Sequence, residues 1–296
     1  MVYTIAMHGR KMLCLFFPLI LLCGCNDARP QGAQTSSSTE VAGAFNPNET
    51  GTIEGRVTGD GQIPDVPVFK IHGNHNDGKE HLTNLVRKNP NAPLIDPATK
   101  GVNQAVVFLR GIDPARAKPW DHMPILIDQS DLDLAILQGN ERVHAGFVHR
   151  GDEISAISRD KFYHALRASG AAFFTLPFMD ANKTTRRRLE KNGLVELSSG
   201  AGYYWMRGYL FVADHPYFTR TDKEGRFKLT QVPAGKYQLV CWLPNWKIAR
   251  HDRDPETALV TRVYYAPPLE RERTVEVTSN RTSSVDFAAG IDRPGR

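Results

Sequence analysis

The chain has 296 residues, of which 41% are hydrophobic and 23% charged, and its formal net charge is +5. This composition is typical of a folded globular protein and excludes a chain that is disordered throughout. The basic cluster formed by Lys183 and residues 186–188 contains no interleaved aromatic residues, so it predicts a solvated loop or hairpin. We therefore expect no nucleic-acid partner.

Residues 1–24 have the pattern of a secretory signal. The charged pair Arg10-Lys11 precedes an apolar run that nothing later in the chain matches. The segment Leu22-Cys23-Gly24-Cys25 resembles the bacterial lipobox, in which the cysteine is lipidated and the signal is cut before it. This resemblance implies lipidation at Cys25 and an exported protein anchored to a membrane of the bacterial cell envelope. An ordinary signal peptide or an uncleaved anchor is the alternative, and the serine-rich stretch that follows predicts a flexible tether over residues 25–50.

The positions of the cysteines predict that the folded part of the exported chain contains no disulfide. Cys14 and Cys23 would leave with the signal, and Cys25 would carry the lipid. Cys241 then remains as the one thiol, although disulfides are common in oxidising compartments. Burial of an apolar core must therefore stabilise the body.

The rest of the chain predicts an all-β fold with long loops, because short apolar or alternating runs are separated by turn residues. We expect strands over residues 51–57, 66–71, 105–109, 124–127, 132–137, 143–148, 153–157, 194–197, 209–212, 237–243, 273–277 and 284–287. Residues 73–100 predict a polar excursion, and residues 184–192 predict one or two helical turns.

The last third has the clearest alternation. Residues 221–229 predict a turn that leads into a strand with Phe227 and Leu229 on one face. Residues 237–243 form a second alternating run after a tight turn. We expect its inward face to consist of Tyr237, Leu239, Cys241 and Leu243, with Gln238, Val240 and Trp242 on the other face.

Two regions of the chain resemble known protein families. Thr221-Asp-x-x-Gly-x-Phe, followed by Val232-Pro-x-Gly-x-Tyr-x-Leu, resembles the carboxypeptidase-regulatory-like module, a small Ig-like and transthyretin-like β-sandwich without catalysis of its own. The middle third is similar to exported bacterial cupredoxin-type domains in the segments 151–164, 193–197 and 205–206 and in Asp214-His-Pro-Tyr-Phe218. The resemblance implies a cupredoxin-like lobe over residues 51–205 and a carboxypeptidase-regulatory-like lobe over residues 206–290.

The resemblance also implies where a copper site would lie. Counting back from Trp205-Met206 places the cysteine ligand at Gly200 and the second histidine at Tyr203, whereas counting forward from Gly193 places the cysteine at Ser199. His164 and Met206 match the remaining ligand positions.

A type 1 copper site needs two imidazoles and a thiolate, and residues 26–240 contain no cysteine. We therefore expect no copper and no other cofactor. His164 is expected to hold a loop by hydrogen bonds, and Met206 is expected to pack in the core.

No catalytic or cofactor motif stands out elsewhere, so we expect no enzymatic activity. His72, His75 and His81 could bind a metal, but no further ligand stands at a fixed spacing from them. The sequence therefore favours a non-enzymatic binding or structural module with an unidentified protein or glycan ligand. The alternatives are a redox or metal-handling protein with a modified site around His164 and Met206, and a carbohydrate-binding module.

Overall fold

The computed structural model describes residues 43–71 and 85–291 and is built from β-strands. The helical elements of these ranges are two 3₁₀ turns, Pro47–Glu49 and Pro114–Arg116. The predicted all-β class is therefore confirmed. Within the described ranges, no helix is both long enough and apolar enough to cross a membrane. The predicted signal peptide, Cys25 and most of the predicted tether lie outside the described residues.

The strands number β1 to β24 in chain order. The first twelve are β1 (Thr50–Thr58), β2 (Phe69–Ile71), β3 (Leu85–Arg87), β4 (Leu94–Ile95), β5 (Val102–Asn103), β6 (Val106–Arg110), β7 (Ile125–Ser130), β8 (Asp133–Gln138), β9 (Glu141–Val143), β10 (Ala145–His149), β11 (Glu153–Ser158) and β12 (His164–Gly170). The others are β13 (Phe174–Phe178), β14 (Thr185–Arg188), β15 (Gly193–Ser199), β16 (Arg207–Ala213), β17 (Phe218–Arg220), β18 (Arg226–Pro233), β19 (Gly235–Leu243), β20 (Ile248–Arg253), β21 (Val260–Tyr265), β22 (Leu269–Val277), β23 (Thr282–Ser284) and β24 (Phe287–Ala288).

Strands β7 to β16 form a first β-sandwich, which we call sandwich A. One five-stranded sheet has the order β14-β11-β7-β8-β9, and the other has the order β10-β16-β15-β12-β13. Their inner faces share an apolar core that includes Ile127, Leu166 and Leu197, none of which is exposed. Alternation along each strand supplies this core, because every second side chain points inward.

Most strands before and after sandwich A form a second β-sandwich, sandwich B, whereas β2 with β3, β4 with β5 and β20 with β21 form separate two-stranded sheets. Its sheets have the orders β17-β6-β19-β22 and β18-β1-β23, and β24 also pairs with β1. The inward residues predicted from alternation over residues 237–243 all lie in its core, together with Ile53 and Leu109. Phe227 and Leu229 of β18 are also buried there, as predicted.

A third apolar core joins the two sandwiches, and we call it the interface core. It lies between the outer face of β10 and β16 and the outer face of β6, β17 and β19. Its members are Val106, Phe108, Ala145, Phe147, Tyr209, Phe211, Ala213, Phe218, Val240 and Trp242. Aromatic rings pack against each other there, and the ring centroids are 5.1 Å apart in both the Phe108–Phe218 pair and the Phe211–Trp242 pair. Among residues 43–71 and 85–291, the four larger sheets thus pack with three apolar cores between them.

The predicted boundary between residues 205 and 206 does not follow the sheets. β1 and β6, predicted in the first lobe, pair with β18 and β19 of sandwich B. β16, predicted in the second lobe, pairs with β10 and β15 in sandwich A. Alternation reveals the two faces of a strand but not its partner, which for β1 and β6 lies more than a hundred residues away. Sandwich A is an insertion between β6 and β17.

Residues 184–192 were predicted to contain helical turns, and this prediction is wrong. Four of these residues form β14, an edge strand that pairs antiparallel with β11. The segment lacks glycine and proline and is rich in good helix formers, but a free sheet edge outweighs such weak local preferences. Arg186, Arg187 and Arg188 are exposed, in agreement with a solvated basic cluster. The sequence analysis also missed β12 and β13, which are rich in alanine and serine or contain proline.

Candidate functional site

His164 lies inside sandwich A, at the start of β12, and its side chain is completely buried. Its Nε2 atom lies 2.8 Å from Oδ2 of Asp160. A buried imidazole needs a polar partner, because desolvation without a hydrogen bond is costly. One ring nitrogen of His164 is therefore already engaged by the protein itself.

The carboxylate of Asp160 also closes the hairpin between β7 and β8. It accepts hydrogen bonds from the backbone amides of Asp131, at 2.8 Å, and Leu132, at 3.1 Å. These two residues form the turn with φ of 52° and 56°, a left-handed geometry that usually takes asparagine and glycine. Trp205 adds a 2.7 Å hydrogen bond from Nε1 to the carbonyl of Leu132. His164 is thus part of a hydrogen-bonded group that holds the β7–β8 turn. A role in holding a loop by hydrogen bonds is what the sequence predicted for it.

Aromatic rings surround the imidazole of His164. The Tyr203 centroid lies 5.0 Å away and the Phe162 centroid 5.2 Å away. Burial raises the pKa of Tyr203, and the negative charge of Asp160 raises it further. The phenol therefore stays protonated at neutral pH, and a metal would have to displace this proton in order to bind the oxygen. Residue 203, a predicted ligand position, packs its ring against the histidine instead.

Met206 lies in the apolar core of sandwich A and is only 1% exposed. It precedes β16, whose next inward residues, Leu210 and Val212, belong to the same core. This is the packing role that the sequence analysis expected for the thioether.

The position predicted for the cysteine ligand needs a correction. Ser199, the last residue of β15, lies opposite Leu166 and shares the inward face of its strand with Leu197. A Cβ atom at Gly200 would instead lie 3.1 Å from Cβ of Ala165, on the other face. Ser199 rather than Gly200 therefore occupies the inward position. The Ser199 hydroxyl accepts a hydrogen bond from Ala201.

The side chains around His164 do not fit a type 1 copper ion, which requires a thiolate and two imidazoles. The inward position carries a serine, and Tyr203 stands where a second imidazole would be needed. Cys241 lies in the core of sandwich B, where burial raises the pKa of its thiol to about 12. Across residues 43–71 and 85–291, no group of three or more histidine, cysteine, aspartate or glutamate side chains has metal-binding geometry. His72, His75 and His81 lie outside the described residues.

Sequence reasoning missed the role of Asp160. The available signal was its spacing, four residues before His164 and at the start of a loop. The sequence could not show that the same carboxylate reaches the distant turn at Asp131 and Leu132, because that contact spans about 30 residues.

No protein-family model and no curated protein matches the chain. Several solved structures similar to parts of it are cupredoxins. An oxidised amicyanin mutant matches with 18% identity over 30% of this chain and 82% of its own, at a TM-score of 0.25. A purple cupredoxin from Nitrosopumilus maritimus matches with 13% identity over 31% and 99%, at 0.24. A reduced amicyanin mutant matches with 15% identity over 36% and 98%, at 0.25. These identities and TM-scores are too low to assign the chain to a family.

Proposed function

We propose that this protein is an exported, lipid-anchored component of the bacterial cell envelope that acts as a non-enzymatic binding or structural module and holds no copper. The lipobox-like segment that ends at Cys25 supports the anchor. The observation that carries the loss of copper is the missing thiolate, because Ser199 occupies the inward position and the one thiol of the described residues, Cys241, lies in the core of sandwich B. In this proposal a position that resembles a metal ligand has become part of the scaffold.

A redox or metal-handling role around His164 and Met206 is the runner-up. It would require the Met206 thioether to leave an apolar core, which costs packing. The His164–Asp160 hydrogen bond does not oppose this role, because a metal-binding imidazole usually donates its other N–H to a carboxylate. A carbohydrate-binding role would be favoured by an exposed aromatic platform. The exposed aromatic residues of the described ranges are Tyr163 and Phe173, at opposite ends of the seven-residue strand β12, roughly 20 Å apart along it.

Copper loading tests the metal part of the proposal. After incubation with Cu(II) and desalting, the protein should show no strong visible absorption and no stoichiometric copper, because intense blue colour needs a thiolate bonded to Cu(II). One tightly held copper per chain that is lost in His164→Ala, but kept in a variant of the half-exposed His149 (His149→Ala), would overturn the proposal and promote the redox alternative. Circular dichroism should confirm that both variants fold.

Lipid labelling tests the anchor. In a bacterial host given a radiolabelled fatty acid, Cys25→Ala should remain an unprocessed precursor without label, because the lipobox chemistry acts on that thiol. Cys23→Ala is the matched control, since its position in the motif tolerates different residues, and it should be processed and labelled normally. Normal cleavage and membrane fractionation of Cys25→Ala would contradict a lipobox.

A further inference from the structure

A cavity of about 230 Å³ lies where β15 and β16 of sandwich A, β19 of sandwich B and the β20–β21 hairpin meet. Its lining residues include Glu196, Arg207, Tyr209, Trp242, Arg262 and Tyr265. It shares no residue with the surroundings of His164. The cavity therefore offers a site that is separate from the position of the lost copper ligands.

Buried polar atoms in the cavity wall lack partners. Trp242 is 2% exposed and Arg207 is 5% exposed, yet Trp242 Nε1 and Arg207 Nε have no hydrogen-bond partner among the described residues. The same holds for Arg262 Nε and for the hydroxyl of Tyr265. Buried polar groups are nearly always paired in folded proteins, so four unpaired donors on side chains that line one cavity favour a ligand that supplies acceptor atoms.

Each of the four atoms can donate a hydrogen bond, and only the tyrosine hydroxyl can also accept one. The remaining donors of Arg207 are held in place, since Nη1 bonds to Glu196 at 3.2 Å and Nη2 bonds to the carbonyl of Val263 at 2.8 Å. Two guanidinium groups against one carboxylate leave the lining with one net positive charge. A ligand with several acceptor atoms and a single negative charge complements this wall.

The shape of the cavity favours an organic anion over a bare inorganic ion. Aromatic rings and three prolines, Pro244, Pro267 and Pro268, form much of its wall. Such flat apolar surfaces stack on rings. A cavity of about 150 Å³ admits benzene, so this larger one has room for a six-membered ring that carries a carboxylate.

We propose that this cavity binds a small ring-containing carboxylate, whose oxygens accept hydrogen bonds from Trp242 Nε1, Arg207 Nε and the Tyr265 hydroxyl. The proposal rests on the proposed function in one respect, because it supplies a ligand for a binding module. Its site and its readout are independent of the copper experiment: binding here should survive His164→Ala.

Calorimetric titration of the full chain with benzoate and with glucuronate tests this assignment and separates an aromatic from a sugar carboxylate. We expect at least one of them to bind. The neutral amide of the better ligand should bind about tenfold more weakly or worse, because it lacks the charge that pairs with Arg207. Tyr265→Phe and Trp242→Phe should each weaken binding by about tenfold, since each variant deletes one donor and keeps a ring.

Tyr264→Phe is the matched control, because the Tyr264 hydroxyl lies in the same hairpin but is already bonded to Asp252 at 2.8 Å. Its affinity should equal that of the wild type. The proposal is overturned if neither carboxylate binds at millimolar concentration, if the amide binds as tightly as the acid, or if the Tyr265 and Trp242 variants bind like the wild type. Binding of inorganic phosphate but of neither carboxylate would also overturn it, since the cavity would then serve a bare oxyanion.

Discussion

Asp160 joins three hydrogen-bond donors from two parts of the chain. The His164 imidazole lies in the same loop as the carboxylate, whereas the amides of Asp131 and Leu132 come from a hairpin about 30 residues earlier. Two consecutive non-glycine residues with positive φ are disfavoured, so the turn depends on what holds it. One side chain therefore holds both backbone amides of this turn.

Removal of that carboxylate should destabilise the fold measurably. Asp160→Ala deletes three hydrogen bonds to a mostly buried, charged acceptor, and the buried imidazole of His164 loses its bond to Asp160. We therefore expect the free energy of unfolding to decrease by about 2–4 kcal/mol. Urea denaturation followed by fluorescence measures it. Asp180→Ala serves as control, because Asp180 is exposed and its ion pair with Lys183 is long, at 3.9 Å. Equal midpoints for the two variants would refute the role assigned to Asp160.

At the level of single strands, β19 and β16 differ in how clearly their sequences show which side chains are buried. One face of β19 lies in the core of sandwich B, whereas its other face is exposed at Lys236 and Gln238 and enters the interface core only at Val240 and Trp242. β16 is buried along its whole length, with Leu210 and Val212 in one core and Tyr209 and Phe211 in the other. Strands of this kind carry no solvent-facing positions, so they read as continuous apolar runs.

Phe227 of β18 tests the register of sandwich B. Its ring packs in that core with Phe287, at a centroid distance of 6.3 Å, and Phe227→Ala should lower the free energy of unfolding by about 3–5 kcal/mol. Phe173 is 79% exposed, so Phe173→Ala is a control of identical chemistry that should change stability little. A loss of less than about 1 kcal/mol in Phe227→Ala, by thermal or denaturant unfolding, would mean that the strand faces the wrong way.

The sequence predicted which face of a strand is buried better than it predicted which strands pair with each other. The inward set over residues 237–243 follows from period-two alternation and is correct. The division into lobes was wrong for β1 and β6, because nothing within a strand encodes which distant strand it joins. The candidate site shows the same limit. The sequence predicted that His164 holds a loop, but only the tertiary contacts show that this loop is the β7–β8 turn. The cavity beside Trp242 was not predictable, since its wall combines strands from both sandwiches with the β20–β21 hairpin, which the sequence analysis did not recognise.

At the scale of the whole molecule, three histidines lie around the interface core. His122 bonds to the carbonyl of Pro216, His144 bonds to Asn91 Oδ1, and His215 stacks on Phe218. Burial lowers the pKa of all three, to about 4 for His144 and His215. The Arg207 guanidinium also lowers the pKa of His144, whereas the Asp214 carboxylate opposes the shift at His215.

Acid should therefore loosen the junction between the sandwiches. An imidazole in the unfolded chain takes up its proton near pH 6.5, so between about pH 6.5 and 4 the unfolded state binds more protons than the folded state. The free energy of unfolding should fall as the pH falls through this window. In His144→Gln, which keeps a donor for Asn91 but does not titrate, the decline should be shallower. Denaturation midpoints from pH 7 to 4.5 measure it.

The half-exposed His149 provides the control for this series in the variant His149→Gln, because its ring lies against Trp120 and is not one of the residues of the interface core. Its pH dependence should follow that of the wild type. The same slope for His144→Gln and the wild type would show that His144 contributes nothing to acid sensitivity.

Because sandwich A interrupts sandwich B, the two halves of the molecule become complete at different times during synthesis. All strand partners in sandwich A lie within residues 125–213, whereas β1 ends at Thr58 and must wait for β18, which begins at Arg226. At ~5–20 residues per second, this delay lasts on the order of 10–30 s. During it, strands β1 and β6 have unsatisfied edges, which are templates for pairing with other chains. The nascent chain is thus most prone to aggregation until β18 and β19, which end at Pro233 and Leu243, have been made.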